Sequence, residues 1–425
     1  MPSEHHVSKS TLRVLLLMPS FYGLAMFSIA YVAYALNTGY YEQTSPELHL
    51  VCISVLLAFA LSTVRFYPSF AQCAAEISKS DPQQQDGHWS FIVLLHFVGL
   101  AGIGEYLRTL VTYFGSAVEI GLRLTASSGD VRNAALDVTS IGTQLSYFGW
   151  IAIWFTALYP PQRPAYRFLL WLSIIQFIAN LLYVDRTRPI WILFVCALLL
   201  GYKHFKKLNT RRLLLVTASS LTAILTLFVS IGAWIGKVDL SSVLSDGPKN
   251  AGMALEPVYF YLTSGFAYLN RILITEQPDF TLARSLYPLW TIASRFELVD
   301  LAPPQINDFL QIPNLTNVGT FLEPMFRDGG VLLMVFGTML HAFGFNWIGA
   351  RLLRSRAAFC LMAWAVLCFT DLIAFFTPKY TNTPTWLVVG LGLIWLIRGS
   401  NGERRIPRQW RPPSNPGRSS IVSSE

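Results

Sequence analysis

A succession of long apolar stretches constrains this chain more than any other feature. Nine of them are close to the length that a helix needs to cross the roughly 30 Å hydrocarbon core of a bilayer, and a tenth is shorter but bounded by charge on both sides. Because no water satisfies peptide groups in the bilayer core, such stretches must be helical. The predicted spans are 12–36, 48–66, 89–107, 138–159, 167–184, 189–202, 212–235, 330–350, 357–377 and 384–398. The sequence therefore predicts an all-α polytopic membrane protein of about ten transmembrane helices, with eleven or twelve as alternatives.

Composition agrees with this class and disfavours soluble enzymes. Hydrophobic residues make up 53% of the chain and charged residues only 13%, which is far from the balance of a soluble domain. The chain contains no Walker loop, no H-E-x-x-H, no G-x-S-x-G and no Rossmann glycine pattern. The five cysteines form no C-x-x-C, and no histidines pair with them at metal-ligand spacing, so no metal site is expected.

Basic residues are concentrated in alternate short loops. They collect in 163–167, 203–212 and 351–356 and again in 398–411, and short loops rich in Lys and Arg stay in the cytoplasm. This pattern predicts that both termini are cytoplasmic. The net charge of +8 is then a surplus at the cytoplasmic face beside anionic lipid, and it does not indicate a nucleic-acid partner.

One connection is far longer than the others, and the same parity places it on the outer side. Residues 236–328 contain ten acidic and six basic residues, so this connection is acidic although the chain as a whole is basic. Within it, Asn270 and Arg271 interrupt an apolar stretch at 254–274, which we expect to lie in the membrane interface or to dip in and return. Whether this stretch and 101–126 cross the membrane stays open. The predicted organisation is 1–235 for transmembrane helices 1–7, 236–328 for the outer loop, 329–400 for helices 8–10, and 401–425 for a disordered cytoplasmic tail.

The turn "DRTR" places two arginines on the outer side, where basic residues are least expected. Arg186 and Arg188 are followed by Pro189, which suits the first turn of the next helix. Both arginines could simply reach lipid phosphates or pair with Asp185. A planar guanidinium binds phosphate oxygens two at a time, and a helix amino end favours anions. The sharper hypothesis is therefore a site for a lipid diphosphate.

A second polar cluster follows in "NLTNVGTFLEPMFRDGG", just before a predicted span. It combines Asn317, Thr320, Glu323, Arg327 and Asp328 within a few positions. These side chains could serve as helix caps, but a loop that only reconnects helices does not need this density of polar groups. The cluster therefore predicts a place where hydroxyl groups of a substrate are oriented.

Taken in order, three segments resemble the oligosaccharide repeat-unit polymerases, also called O-antigen polymerases. The segments are "DRTRPIWILF", "YFYLTSGFAYLN" in the long loop, and "TNVGTFLEPMFRDGG", and the resemblance covers roughly residues 170–350. Members of this family often have an aromatic residue directly after the aspartate and a further glycine a few positions later. Gly329 and Leu333 occupy those positions here.

The resemblance implies a GT-C-like membrane glycosyltransferase of the bacterial inner membrane. Such an enzyme has a large periplasmic loop with short interfacial helices and works at the periplasmic face. It transfers a growing glycan from undecaprenyl diphosphate to the non-reducing end of a new lipid-linked repeat unit, with inversion and without a metal or another cofactor. The expected partners are the lipid-linked oligosaccharide, membrane lipid and a regulator of polysaccharide chain length.

The resemblance also assigns roles to residues of this chain. Arg186 and Arg188 are expected to bind the diphosphate, whereas Asp328, then Glu323 or Asp308, are candidates for the base that accepts a proton. The other expected substrate-binding residues are Arg271, Arg295, Arg327, Tyr261, Asn317 and Thr320.

Two other functions fit parts of the sequence. A ligase that moves a finished glycan to a lipid-A core or a protein would have a similar arginine site and a similar loop. A membrane transporter is the other alternative, although internal repeats and helices broken at matching positions, which transporters usually show, are not evident.

Overall fold

The protein is predominantly helical. The computed structural model describes residues 11–36, 41–79, 89–126, 131, 141–183, 185, 187–206, 251–304, 307–312 and 314–403. The helices in the first half of this part are α1 Pro19–Leu36, α2 Pro46–Lys79, α3 Trp89–Phe114, α4 Ala117–Ala126, α5 Ile141–Gln144, α6 Ser146–Leu158, α7 Ala165–Leu181 and α8 Thr187–Lys203. The second half contains α9 Ala251–Thr275, α10 Tyr287–Arg295, the strands β1 Leu310–Ile312 and β2 Asn314–Thr316, α11 Glu323–Ser355, α12 Ala358–Leu372, a 3-10 turn Lys379–Thr381 and α13 Thr383–Glu403.

Several helices are suited to a membrane. Within the described residues, four are long and apolar enough to cross one, namely α1, α2, α3 and α11, and three shorter apolar helices accompany them at Ala165–Leu181, Ala358–Leu372 and Thr383–Arg398. Helices coincide with every predicted span that the structure describes, whereas the predicted span 212–235 lies outside the described residues. The described part of the protein is thus that of a predominantly helical membrane protein with one short pair of strands.

Helix α12 lies at the centre of the bundle. Its sequence is apolar on all sides, and every residue from Cys360 to Asp371 is buried, as expected for a helix that has no polar face. It packs against α1, α6, α8, α11 and α13. The indole of Trp364 donates a hydrogen bond of 2.8 Å to the Leu17 carbonyl. This central position brings α8 and α13, which are distant in sequence, to the same core.

Two further groups of helices complete the bundle. In one, α3 packs closely against α6 and α7. A Cβ atom added to Gly99 would lie 2.5 Å from the Gly149 Cα atom, so the small residues allow the close approach. In the other, α9 packs on α1 and α2, where Phe266 contacts Phe27 with ring centroids 5.0 Å apart.

Contacts between loops sort the helix ends into two groups. At one end of the bundle, the Lys203 ammonium donates to the carbonyls of Ala157 and Tyr159, and Arg356 pairs with Glu76 at 3.4 Å. At the other end, the Asn270 carboxamide accepts from the Ser45 amide at 2.8 Å, and Arg271 pairs with Glu42 at 3.1 Å. The loops predicted to be cytoplasmic lie at the first end, and the loops predicted to be on the outer side lie at the second. Which compartment each group faces stays a prediction.

Both segments left open by the sequence have helical structure. Helix α3 continues to Phe114, and the short helix α4 follows at Ala117–Ala126. Helix α9 has 25 residues but is not among the four described helices that are long and apolar enough to cross a membrane. After α9 come the short helix α10 and the antiparallel strands β1 and β2. The predicted fold class is all-α with short helices in the outer loop, and the strand pair is an addition to that prediction.

A sharp kink divides α11 near its amino end. Gly329 and Gly330 leave the helical conformation, and Gly330 has φ +65 and ψ −162, a region of backbone space that only glycine adopts readily. The short segment before the kink carries Glu323, Arg327 and Asp328, and the long segment after it continues into the bundle. The kink allows the polar cluster and the apolar span to take different directions.

Candidate functional site

A cavity of about 610 Å³ opens at the end of the bundle that carries the outer loops. The first residues of four helices line it: Thr187 of α8, Tyr287 of α10, Glu323 of α11 and Thr383 of α13. The amide groups at a helix amino end have no partners within the helix and carry a positive partial charge. Four such ends around one cavity favour an anionic ligand.

Each of these four helices has a proline in its first turn. Proline is tolerated there because its missing N–H is not needed for a helical hydrogen bond, and its fixed φ suits the start of a helix. The prolines are Pro189, Pro288, Pro324 and Pro384. This local signal explains why a helix begins at each of these four positions.

Among the residues that the structure describes, three cationic side chains line the cavity, and they come from three separate parts of the chain. Arg188 belongs to the first turn of α8, Arg284 to the loop before α10, and Lys379 to the 3-10 turn before α13. Two carboxylates, Asp185 and Glu323, also line it. Both have cationic neighbours, so the cavity combines positive charge with four helix amino ends.

Stacked aromatic rings hold Arg188. Its guanidinium carbon lies 3.6 Å from the centroid of the Tyr183 ring, which stacks on Tyr106 at 4.0 Å. Its Nε atom lies 3.7 Å from a carboxylate oxygen of Asp185, and 17% of the side chain remains exposed. One terminal nitrogen is 3.5 Å from the Ser146 hydroxyl. These contacts fix the plane of the guanidinium but use few of its five N–H donors.

Asp185 joins the start of α8 to the cationic groups. One carboxylate oxygen accepts a hydrogen bond of 2.8 Å from the Thr187 amide, so Asp185 acts as a cap for the helix. Burial raises the pKa of this carboxyl group, but the positive charges of Lys379 and Arg188 lower it by more, and the pKa therefore lies below its ordinary value. Asp185 therefore remains a carboxylate and offsets part of the positive charge.

The surroundings favour the charged form of Asp185 but disfavour the charged form of Lys379. Burial lowers the pKa of its ammonium group, the nearby Arg188 lowers it as well, and Asp185 offsets only part of this effect. Its Nζ atom lies 5.9 Å from the centroid of the Trp191 ring. Within the described part of the chain, the ammonium group donates no hydrogen bond and forms no ion pair.

Asp328 organises the loop that carries Arg284. Its carboxylate is 1% exposed and accepts hydrogen bonds from the Thr281 hydroxyl, the Arg284 amide and the Ser285 amide. The Arg284 guanidinium pairs with Asp279. Because both oxygens of Asp328 are engaged and the residue does not line the cavity, its contacts favour a positioning role over that of the predicted base.

Arg327 ties α11 to the end of α9. It forms a two-oxygen contact with Glu276, at 2.8 and 3.1 Å, and pairs with Glu323 at 2.5 Å. It also donates to the Tyr268 hydroxyl at 3.2 Å. With both carboxylates bound, Arg327 serves the packing of the outer loop and orients Glu323, which is 3% exposed and faces the cavity.

The structure brings some of the predicted site residues together and leaves others apart. Arg188, Asn317 and Glu323 line the cavity, and Arg186 lies outside the described residues. Seven predicted residues do not line it. Arg271 lies in its exposed pair with Glu42, Arg295 is exposed at the end of α10, and Tyr261 lies beside Phe376. Thr320 is buried and its hydroxyl accepts from the Leu322 amide, and the others are Arg327, Asp328 and the third predicted base, Asp308.

Sequence patterns did not identify Lys379, Arg284 or the stacked rings of Tyr106 and Tyr183 as parts of the site. Lys379 follows a Pro in the short connection "TPKYTNTP", and its neighbour Asp185 is far away in the chain, so no local pattern marks it. A proline in the first turn marks where each of the four helices begins, but it does not single them out, since α1 and α2 also begin with a proline. Among the described residues, no three His, Cys, Asp or Glu side chains form a group that could hold a metal ion.

Comparisons with protein-family models, with curated proteins and with solved structures find no match for this chain.

Proposed function

We propose that this protein polymerises lipid-linked oligosaccharide repeat units. In this proposal it transfers a growing glycan from undecaprenyl diphosphate to the non-reducing end of a new repeat unit. The architecture would be GT-C-like, with about ten spans, both termini in the cytoplasm and the cavity at the periplasmic face of the bacterial inner membrane. The resemblance in the three segments suggests the reaction, and the chemistry of the cavity supports it.

One observation carries the proposal, namely that Arg188, Arg284 and Lys379 meet at a cavity where four helices begin. A diphosphate is the leaving group of the proposed reaction, and its negative charge grows as the glycosidic bond breaks. Fixed cations and helix amino ends stabilise this charge more strongly in the transition state than in the substrate. The cavity has the electrostatics that such a reaction needs.

The rest of the lining suits a carbohydrate. Tyr147 and Tyr287 offer aromatic faces, and Gln144, Asn307 and Asn317 offer amide groups. Aromatic rings pack against the apolar faces of sugars, and amides both donate to and accept from hydroxyl groups. A lipid-linked oligosaccharide could therefore occupy the cavity with its sugars beside the diphosphate.

The proposed reaction is a single displacement at the anomeric carbon. An acceptor hydroxyl oxygen forms the new bond, the bond from the anomeric carbon to the diphosphate oxygen breaks, and its electron pair leaves with the diphosphate. The hydroxyl proton passes to a base. Of the predicted bases, Glu323 lines the cavity whereas Asp328 and Asp308 do not, so we assign this role to Glu323, oriented by Arg327.

The first test is extension of purified lipid-linked repeat units by the purified full chain, without nucleotide sugar. We expect glycans longer than one repeat. Arg188→Ala should lower turnover by about 100-fold or more, as loss of a group that stabilises transition-state charge does. Arg188→Lys should restore little of it, because an ammonium group cannot bind two oxygens in the same plane.

Arg163→Ala provides the control. Arg163 is exposed and follows α6 at the other end of the bundle, so its loss should leave turnover unchanged. Failure of the wild-type chain to extend repeat units under any lipid condition would contradict the proposal. Transfer only to a lipid-A core acceptor would instead identify a ligase, and a membrane regulator of chain length should alter the product lengths of a polymerase.

A further inference from the structure

The connection between α12 and α13 holds Lys379 rigidly at the cavity. The Lys379 carbonyl accepts a hydrogen bond of 2.7 Å from the Thr385 hydroxyl and another from the Asn382 amide. The Trp386 indole donates to the Tyr380 carbonyl at 2.7 Å. These contacts fix the backbone on both sides of the residue. The side chain therefore starts from a fixed point on the cavity wall.

The charge of Lys379 has no direct partner in the described part of the chain. Its ammonium group donates no hydrogen bond there and lies over the Trp191 ring, which is 2% exposed. By contrast, Arg188 has Asp185 at 3.7 Å and Arg284 has Asp279. An enclosed charge without a partner costs free energy. Such a group at a functional cavity commonly finds its partner in the ligand.

Together these neighbours specify the kind of ligand. Arg188 has donors to spare, Lys379 has no hydrogen-bond or ion-pair partner among the described residues, and both lie close enough to Asp185 to lower the pKa of its carboxyl group. Asp185 can offset only one of these two charges. An anion with several oxygens and more than one negative charge would contact both cations, and the four helix amino ends add to the attraction.

We infer that Lys379 binds the diphosphate of the substrate together with Arg188, as a cation that the turn between α12 and α13 supplies to the site. The identity of the natural ligand rests on the proposed function. The binding itself does not, because inorganic pyrophosphate carries the same group and can be measured without any glycan. Lys379 thereby links the carboxyl-terminal helices to a site built mainly by the middle of the chain.

The test measures pyrophosphate binding to the purified full chain by calorimetry. Lys379→Met keeps the length of the side chain and removes its charge, and we expect affinity to fall by about tenfold or more. Lys379→Arg keeps the charge and should retain most of the affinity. Lys79→Met is the matched control, since Lys79 is exposed at the far end of α2, and it should bind as the wild type does.

Folding is checked on the ligand-free proteins. Removal of the ammonium group relieves its desolvation cost and its repulsion of Arg188 but also removes its attraction to Asp185, so Lys379→Met should melt close to the temperature of the wild type. Added pyrophosphate should raise the melting temperature of the wild type more than that of Lys379→Met. Should Lys379→Met melt lower, Lys379→Gln replaces it in the binding measurement.

The outcomes separate this inference from the proposed function. If the wild type binds pyrophosphate through Lys379 but does not extend repeat units, the proposed function fails and the cation site stands. No pyrophosphate binding by the wild type, or equal binding by Lys379→Met, overturns the inference. A loss of turnover in Lys379→Met with unchanged pyrophosphate affinity also overturns it, because the ammonium group would then act on a proton or a sugar.

Discussion

At the scale of single residues, the candidate site depends on which charges already have partners. Arg327 is bound by two carboxylates and Asp328 by three donors, so both serve the structure of the outer loop. Arg188 and Lys379 keep donors for a ligand. Residues of the same type thus have different roles because of the contacts they make.

Asp328→Asn tests the positioning role at this scale. The amide keeps the size of the side chain but replaces one acceptor oxygen with a donor, which leaves the Arg284 or the Ser285 amide without a partner. A buried donor without a partner costs about 1–3 kcal/mol, and we expect a loss of stability of that size. Hydrogen exchange should become faster at the amides of both residues.

Asp300→Asn is the control for this substitution. The Asp300 side chain is exposed, and its change should alter neither stability nor exchange. If Asp328→Asn kept the two amides protected and lost only turnover, the positioning role would be wrong and the carboxylate would be acting on the substrate.

The residues of the site could be predicted only in part from the sequence, for a physical reason. Arg188, Asn317 and Glu323 stand out because polar groups beside apolar spans are conspicuous locally. The charged neighbours that decide each role are distant in the chain, such as Glu276 for Arg327 and Asp185 for Lys379. Local patterns carry no information on such pairs, so the sequence put Asp328 ahead of Glu323 and Asp308 as the base, whereas Glu323 is the one of the three that lines the cavity.

At the scale of secondary structure, apolar length predicted the long helices well. Spans such as 89–107 and 330–350 coincide with helices because a bilayer leaves the backbone no other way to satisfy its hydrogen bonds. The strands β1 and β2 were not predicted, since three residues each are too few for a periodic pattern. The kink in α11 was also not predicted, although "DGG" contains the two glycines that form it.

Gly330→Ala tests the kink. The backbone angles of Gly330 lie where an L-residue is strained, and we expect a cost of about 1–3 kcal/mol. An added Cβ would lie 3.4 Å from Pro278, an ordinary contact, so the cost arises from the backbone and not from a clash. Thermal unfolding in detergent measures it.

Gly344→Ala gives a matched comparison in the same helix. No atom lies within 4 Å of a Cβ added there, and alanine favours a helix over glycine by about 1 kcal/mol. This variant should be as stable as the wild type or slightly more stable. Equal stability of Gly330→Ala and Gly344→Ala would mean that the backbone at Gly330 is not strained.

At the scale of the whole molecule, the helix ends form two groups, as the predicted alternation of the spans requires. Lys203 and Arg356 make contacts at one end, and Asn270 and Arg271 make contacts at the other. The basic loops lie in the first group and the acidic loop in the second, as the distribution of charge predicts. The arrangement of the ends therefore follows from the sequence, and the compartments remain to be assigned.

Labelling of single cysteines assigns them. In a chain whose own five cysteines are replaced, Leu298→Cys lies in the outer loop and Lys206→Cys follows α8, and both positions are exposed. A thiol reagent that cannot cross the membrane should label position 298 in intact spheroplasts and position 206 only after permeabilisation. The reverse pattern would invert the predicted topology.

The convergence of four helix starts on one cavity has a consequence for biosynthesis. The starts at residues 187, 287, 323 and 383 leave the ribosome one after another, and the turn with Lys379 is among the last parts of the cavity to be made. If the cavity binds pyrophosphate as inferred above, a nascent chain can insert its early helices long before it can bind that anion. Affinity for pyrophosphate would thus show that the chain has been translated beyond residue 384 and that α12 and α13 have packed into the bundle.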